Sequence, residues 1–250
     1  MKSDMSQFYA QNSEGSPAAD GERPSRTLID TAYGLLRSAI LNGRIEPGAR
    51  LKIDALQREL TLSSSPLREA LNRLVAEGLV TAVGRRGFHA APITAAELTD
   101  LTNFRIVLET GALRASIVNG TDEWEARVAG AYYRLDVAEG KAGSDARGSN
   151  ENWRDRHKDF HMSLFAACGS RRLFEACSEM YDQAERYRRY SMVQRNQERK
   201  GRVEHQQIMK AALARDEGAV TTLLRDHIVQ TADHVGKLLR QRGKSAGERA

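Results

Sequence analysis

The sequence predicts a mainly α-helical chain in two parts: a small N-terminal domain containing a β-hairpin, and a larger all-helical bundle behind it. Three observations predict this. Apolar residues recur at helical spacing from Thr27 to Leu41 and again through the chain after Thr94, where no useful strand-like alternation occurs. Turn formers (Gly43, Pro47, Gly48, Gly78, Gly84 and Gly87) cut the first part into short pieces. A chain of 250 residues, 40% hydrophobic and 28% charged, is globular in composition and long enough for two modest cores.

Residues 1–25 read as a disordered tail, polar and rich in Ser, Gly and Ala. The basic start and apolar stretch of a secretory signal are missing, and no apolar run approaches a membrane span. Cys168 and Cys177 are too few for a disulfide framework and read as small buried hydrophobes, which suits a cytoplasmic location.

The first domain is expected over residues 26–92. Leu28, Tyr33, Leu36 and Ile40 mark the inward side of a first helix, and Gly43 stops it. Asp54 to Leu60 reads as a short second helix with Leu56 and Leu60 inward. Thr61-Leu62-Ser63 is the turn. A third helix follows, with Ser63 or Ser64 as N-cap and Pro66 in its first turn, where a missing N–H costs nothing. Leu67, Leu71 and Leu74 point inward, while Ser65, Arg68, Asn72 and Arg73 occupy the other side. Two apolar runs, Leu79 to Val83 and Phe88 to Ala91, flank Gly84-Arg85-Arg86-Gly87 and form a hairpin with a basic tip. Two helices in a tight turn followed by a hairpin make a winged helix-turn-helix, whose third helix enters the major groove of DNA. The charge agrees: between Pro24 and Pro92, ten Arg/Lys face six Asp/Glu, and this surplus of four accounts for most of the chain's +5.

Gly43-x-x-x-Pro47-Gly48-x-x-Leu51, then Ser65-Pro66-Leu67-Arg68-Glu69-Ala70-Leu71-x-x-Leu74-x-x-Glu77-Gly78-Leu79-Val80, resembles the GntR family of regulators over about seventy residues. The resemblance implies that Arg68 contacts a base edge, that Ser65 bonds phosphate, and that Gly87 lets the wing approach DNA. Ser64 stands where the family usually has an arginine that also reads DNA. With Asn72, Arg73, Arg85 and Arg86, these residues make up the expected DNA surface.

The second domain, expected over 93–240, opens with a capping box of Thr94 and Glu97 ahead of Leu98, Leu101, Phe104, Val107 and Leu108. Further helices are expected at 122–139, 150–167, 171–197, 201–215 and 216–240. Gly140 to Asn150 reads as a loop, Gly169-Ser170 as a break and 241–250 as a flexible tail. Five of the six histidines fall here. His157 and His161 lie one helical turn apart, and His205 and His227 sit on two other helices, as in metal sites built inside helical bundles. Imidazole suits zinc, nickel or iron. The run Arg186-Tyr187-Arg188-Arg189-Tyr190 reads as a solvated or interface face, with one arginine turned into the pocket as the alternative.

Arg105-x-x-x-Glu109, Phe160-His161-x-x-Leu164, Glu204-His205 with Ile208, and His227 resemble the FCD effector domain that accompanies the winged helix in the FadR-type branch of the GntR family. The resemblance implies a divalent metal on His161, His205 and His227, with a fourth ligand one turn before the first. His157 occupies that place instead of the usual Asp or Asn. It also implies that Arg105 grips an effector carboxylate. Asp122-Glu123-Trp124-Glu125, the histidine motif and Cys168-Gly169-Ser170 look closest to the carbon-starvation-induced regulators of that branch, a subgroup associated with glutarate and related dicarboxylates. The expectation is a homodimeric, non-enzymatic repressor of a pseudo-palindromic operator, released by a small carboxylate. The alternatives are a regulator for which the metal itself is the signal and a metal-dependent enzyme.

Overall fold

A computed structural model describes residues 27–84, 87–146, 151–192 and 201–247. The expected N-terminal tail and the wing-tip arginines Arg85 and Arg86 lie outside the described residues. The chain divides into two compact units, Met1–Ile93 and Thr94–Ala250.

The first unit runs α1 (Leu28–Leu41), β1 (Arg50–Leu51), α2 (Ile53–Leu60), α3 (Ser64–Ala76), β2 (Val80–Ala82) and β3 (Phe88–Ala90). Thr27 caps α1, its hydroxyl accepting the Asp30 N–H at 3.1 Å. Leu28, expected inward, is exposed. It lies in the first turn, and the stripe that α1 buries is Ala32, Leu36, Ala39 and Ile40. These pack with Leu56, Leu67, Leu71 and Leu74 into one core. At the start of α3, Ser63 has the extended backbone of an N-cap but makes no side-chain cap bond. Gly78 then turns the chain with φ +69°. The strands form an antiparallel sheet in the order β1-β3-β2, with Leu51 and Ala82 both opposite Phe88. The wing closes where Val83 N–H donates to the Gly87 carbonyl at 2.9 Å.

The second unit is helical throughout its described residues: α4 (Ala95–Asn119), α5 (Asp122–Ala146), α6 (Glu151–Phe165), α7 (Arg171–Met192), α8 (Gly201–Leu213) and α9 (Glu217–Gly247). Thr94 caps α4 by accepting the Glu97 N–H, as the capping box predicts. Two expectations need correction. Residues 140–146, read as a loop from their Gly and Ser content, continue α5. Residues 241–247, read as a tail, continue α9. Phe104 and Val107, two of the apolar residues behind the capping box, are exposed, and the buried stripe of α4 is Leu98, Leu101, Arg105, Glu109, Ala112, Leu113, Ser116 and Ile117. The polar pair sits inside because Arg105 Nε and Glu109 Oε1, 2.6 Å apart, satisfy each other one turn away.

The core of this unit gathers Leu113, Trp124, Leu135, Phe160, Leu164, Ile208 and Leu224 from five helices. Trp124 is anchored by its indole N–H, which donates to the Ser163 carbonyl at 3.0 Å. No helix among the described residues is long and apolar enough to cross a membrane.

Candidate functional site

On the first unit, the non-core side of α3 exposes Ser64, Ser65, Arg68 and Asn72 together. Arg68 and Asn72 are one turn apart, with Ser64 and Ser65 at the N-terminal end, where helix N–H groups lack partners. This is the geometry that a groove-reading helix requires. Arg73 differs from the expectation. It is half exposed but turned back onto α1, where its Nη1 pairs with Asp30 at 2.8 Å and its guanidinium lies 4.1 Å from the Tyr33 ring centre. The Tyr33 hydroxyl donates to Glu77, and Arg37 Nε donates to the other Glu77 oxygen at 3.0 Å. Together these contacts fasten α3 to α1, so Arg73 has a structural role in this arrangement. Gly87 adopts φ +84° with open space around it. Its first necessity is therefore the turn conformation.

In the second unit, α6, α8 and α9 bring His157, His161, His205 and His227 together from three separate stretches of chain. All four are buried, and one ligand atom from each lies within 4.8 Å of the others. His157 stacks on Trp153 at 4.7 Å between ring centres. This fixes its ring on the side of α6 that also carries His161.

The supports of these rings bear on what they can hold. His227 Nδ1 is 2.7 Å from Glu204 Oε2, and His205 Nδ1 is 3.5 Å from Glu139 Oε1. The Glu204 carboxylate at His227 Nδ1 holds the proton there and leaves Nε2 with a free lone pair, the arrangement that supports metal-binding histidines, whereas His205 Nδ1 has Glu139 nearby without a hydrogen bond. Both nitrogens of His161 are buried without a hydrogen-bond partner. An orphaned buried imidazole costs desolvation energy that a ligand at this point would recover. The donor set therefore fits a divalent metal on His161, His205 and His227.

His157 is held differently. Arg188 Nη1 lies 2.9 Å from its Nδ1, and the Tyr181 hydroxyl meets the same nitrogen. A guanidinium only donates, so Nδ1 accepts and the proton sits on Nε2, which faces His205 Nε2 at 3.1 Å. In this arrangement His157 has no lone pair to offer at Nε2.

Burial, followed by the Arg188 charge, pushes the His157 pKa well below the usual imidazole value. His161 is pushed down by burial and then by His227. Burial also works against the charge of Arg188, but Glu185, whose Oε2 is 2.6 Å from Nη2, and Tyr181 more than offset it and the pKa rises.

The residues between Arg186 and Arg189 thus correct the expectation of a solvated face. Arg186, Tyr187 and Arg188 are buried, with Glu185 bracing both Arg188 and Arg189. Arg188 and Arg105 line one narrow cleft between α4, α7 and α9, together with Leu98, Leu101, Ile228 and Val235. Glu139, Tyr181 and Arg188 are the site residues that sequence reasoning did not assign. Only the density of basic and aromatic residues around Arg188 signalled any of them. Cys168 and Cys177 are buried free thiols, as expected, and burial raises the Cys177 pKa to about 12.

The gntR family of bacterial regulatory proteins matches residues 28–89, and the FCD domain matches residues 100–230. The chain is 39% identical over 203 residues to the uncharacterized HTH-type transcriptional regulator BphR of Paraburkholderia xenovorans, covering 81% of this chain and 83% of that one. It is 33% identical over 207 residues to the HTH-type transcriptional repressor GlaR of Escherichia coli, covering 81% and 93%. The solved structure of E. coli McbR/YncC superposes with a TM-score of 0.69 at 20% identity, covering 85% of this chain and 99% of that one. With both halves matched in order, the chain belongs to the GntR family of bacterial transcription regulators, in its FCD-domain branch, and is a DNA-binding regulator rather than an enzyme.

Proposed function

We propose that the protein is a homodimeric repressor whose hold on a pseudo-palindromic operator is released by a small carboxylate, a dicarboxylate such as glutarate, bound beside a divalent metal in the helical unit. The observation that carries this reading is the cluster of four buried imidazoles, one of them hydrogen-bonded to a carboxylate and a second beside one, next to two buried arginines. The repressor sense draws on the name of the E. coli relative.

His161, His205 and His227 would hold the metal, zinc, nickel or iron by ligand type. When bound, it supplies a positive centre for an anion. Glu204 and Glu139 orient the His227 and His205 rings. Arg105 and Arg188 supply donors for a second anionic group, and each is braced by a carboxylate that an incoming ligand must compete with: Glu109 for Arg105, Glu185 for Arg188. Arg188 donates to His157, and Tyr181 packs beneath it. A ligand carboxylate that takes up Arg188 frees His157 from that contact.

Ser64, Ser65, Arg68 and Asn72 carry the DNA contact, with the wing at Gly87 beside them; Arg85 and Arg86 are assigned by sequence alone. Release of DNA requires that the carboxylate bind the free and DNA-bound states with different affinity.

Native mass spectrometry with elemental analysis, before and after addition of a dicarboxylate panel, tests the reading. DNA binding to an operator selected from a random pool is measured in parallel. One metal per subunit, one acid bound and weakened DNA binding are the expected results. DNA affinity that follows metal alone would instead make the metal the signal. A metal-free protein that binds no acid would overturn the effector assignment.

A further inference from the structure

We infer that Arg188 makes metal and effector depend on each other: its guanidinium opposes a cation on the histidine cluster until an anion takes it up, so only a ligand with two anionic groups completes the site. This rests on the metal-and-carboxylate reading above and names the regulation of that same site.

Arg188 touches the cluster itself. Its Nη1 lies 2.9 Å from His157 Nδ1 and 3.4 Å from His157 Nε2. Whichever nitrogen His157 offers, a positive charge therefore stands within 3.4 Å of it, and the four ligand atoms lie within 4.8 Å of one another. Arg188 and all four histidines are buried, so water does little to screen that charge from a cation held by the rings.

Other charged groups nearby are placed differently. Glu204 and Glu139 stand at the Nδ1 atoms of His227 and His205. Arg105 closes on Glu109 at 2.6 Å, and Lys158 is taken up by both oxygens of Asp182 at 2.7 Å. Glu185 meets Arg188 through Nη2 at 2.6 Å, while Nη1 is the end turned to His157. The other Glu185 oxygen lies 3.5 Å from Arg189 Nε, so one negative charge is shared between two guanidinium groups. Arg188 thus keeps positive character where it meets the ring.

A metal on the rings and the Arg188 guanidinium are like charges in one small buried space. An anionic group on Arg188 removes that opposition, and a metal on the rings favours a second anionic group beside it. Each ligand then strengthens the other by the same factor, as linkage requires. A single carboxylate answers only one of the two positive centres. A dicarboxylate answers both, which separates it from a monocarboxylate of the same length.

Zinc affinity of the full chain, measured by chelator competition in carboxylate-free buffer, tests this. Arg188→Gln is expected to bind zinc at least tenfold more tightly than wild type with no acid added. Arg188→Lys, which keeps the charge, should stay within threefold of wild type. Glu185 retains Arg189 as a partner in both variants, and circular dichroism checks their fold. Saturating glutarate should raise wild-type zinc affinity at least tenfold and that of Arg188→Gln less than threefold. Pentanoate, with one carboxylate on five carbons, should raise the wild type less than threefold. An Arg188→Gln protein that folds and binds zinc no more tightly than wild type overturns the opposition. Wild-type protein that binds both zinc and glutarate, each with an affinity indifferent to the other, overturns the coupling and leaves the metal-and-carboxylate reading standing; this comparison decides even where a variant does not fold. Equal gains from pentanoate and glutarate overturn the two-anion requirement. A wild type that takes up neither zinc nor acid removes that reading and this inference with it.

Discussion

His161 has no hydrogen-bond partner for either ring nitrogen, whereas His205 and His227 face carboxylates and His157 is met by Arg188 and Tyr181. Four identical residue types thus carry different expected consequences. Replacing His161 or His205 by Ala should abolish metal retention without unfolding the protein, as read by elemental analysis beside circular dichroism. Full occupancy in either variant would remove the assigned site. Glu204→Gln keeps the ring in place but weakens its orientation. Metal affinity should drop by about 10- to 100-fold in competition with a chelator. An unchanged affinity would mean that Glu204 serves only the fold. At this scale the sequence was informative about residue type and silent about support. The histidines were visible as a pattern of spacings, but Glu139 lies 66 residues from the ring it faces, and nothing local marks it.

Among the elements, α3 separates two arginines that its sequence presents as equals. Arg68 stands exposed beside Asn72, whereas Arg73 is engaged by Asp30 and Tyr33. Arg68→Ala should cost about 1–3 kcal/mol at the selected operator and relax base preference there. Equal losses on selected and random DNA would show that it touches only phosphate. Arg73→Ala should instead lower the melting temperature of the winged unit and leave base preference unchanged; a changed preference would return Arg73 to the DNA surface. Tyr33→Phe removes the donor to Glu77 and should cost about 1 kcal/mol in denaturant unfolding. Along α4, periodicity located the helix, but two of its apolar positions, Phe104 and Val107, lie outside. Hydropathy carries no information about which of two stripes meets the subunit's own core, and here the inward stripe includes the ion pair Arg105–Glu109.

For the whole molecule, buried neutral imidazoles make stability depend on pH. His157 and His161 have folded-state pKa values well below the ordinary imidazole value of 6.5. Above 6.5 both states are neutral at these positions and no dependence follows. Below it, the unfolded chain takes up protons that the folded chain refuses, so stability falls as pH falls. Chelator-treated protein should therefore melt at a progressively lower temperature from pH 7 to pH 5.5, and His157→Phe should flatten the decline. Parallel declines in the two proteins would place the acid sensitivity elsewhere.

The two-part organisation, the helix-turn-helix with its wing, the capping box at Thr94 and the four histidines were all legible in the order of residues along the chain. Each is written in local spacing, turn chemistry or capping, which act over a few residues. The helices that reach Ala146 and Gly247 overran their expected limits because propagation of an existing helix adds a backbone bond per residue and outweighs the weak propensities of Gly and Ser. That Arg188 turns inward onto His157, that Glu139 and Glu204 stand behind two rings, and that α4 keeps apolar side chains outside emerged with the packing of the helices. Those outcomes depend on which helices meet and on the need of each buried charge for a partner, and both are set by contacts between residues far apart in the chain.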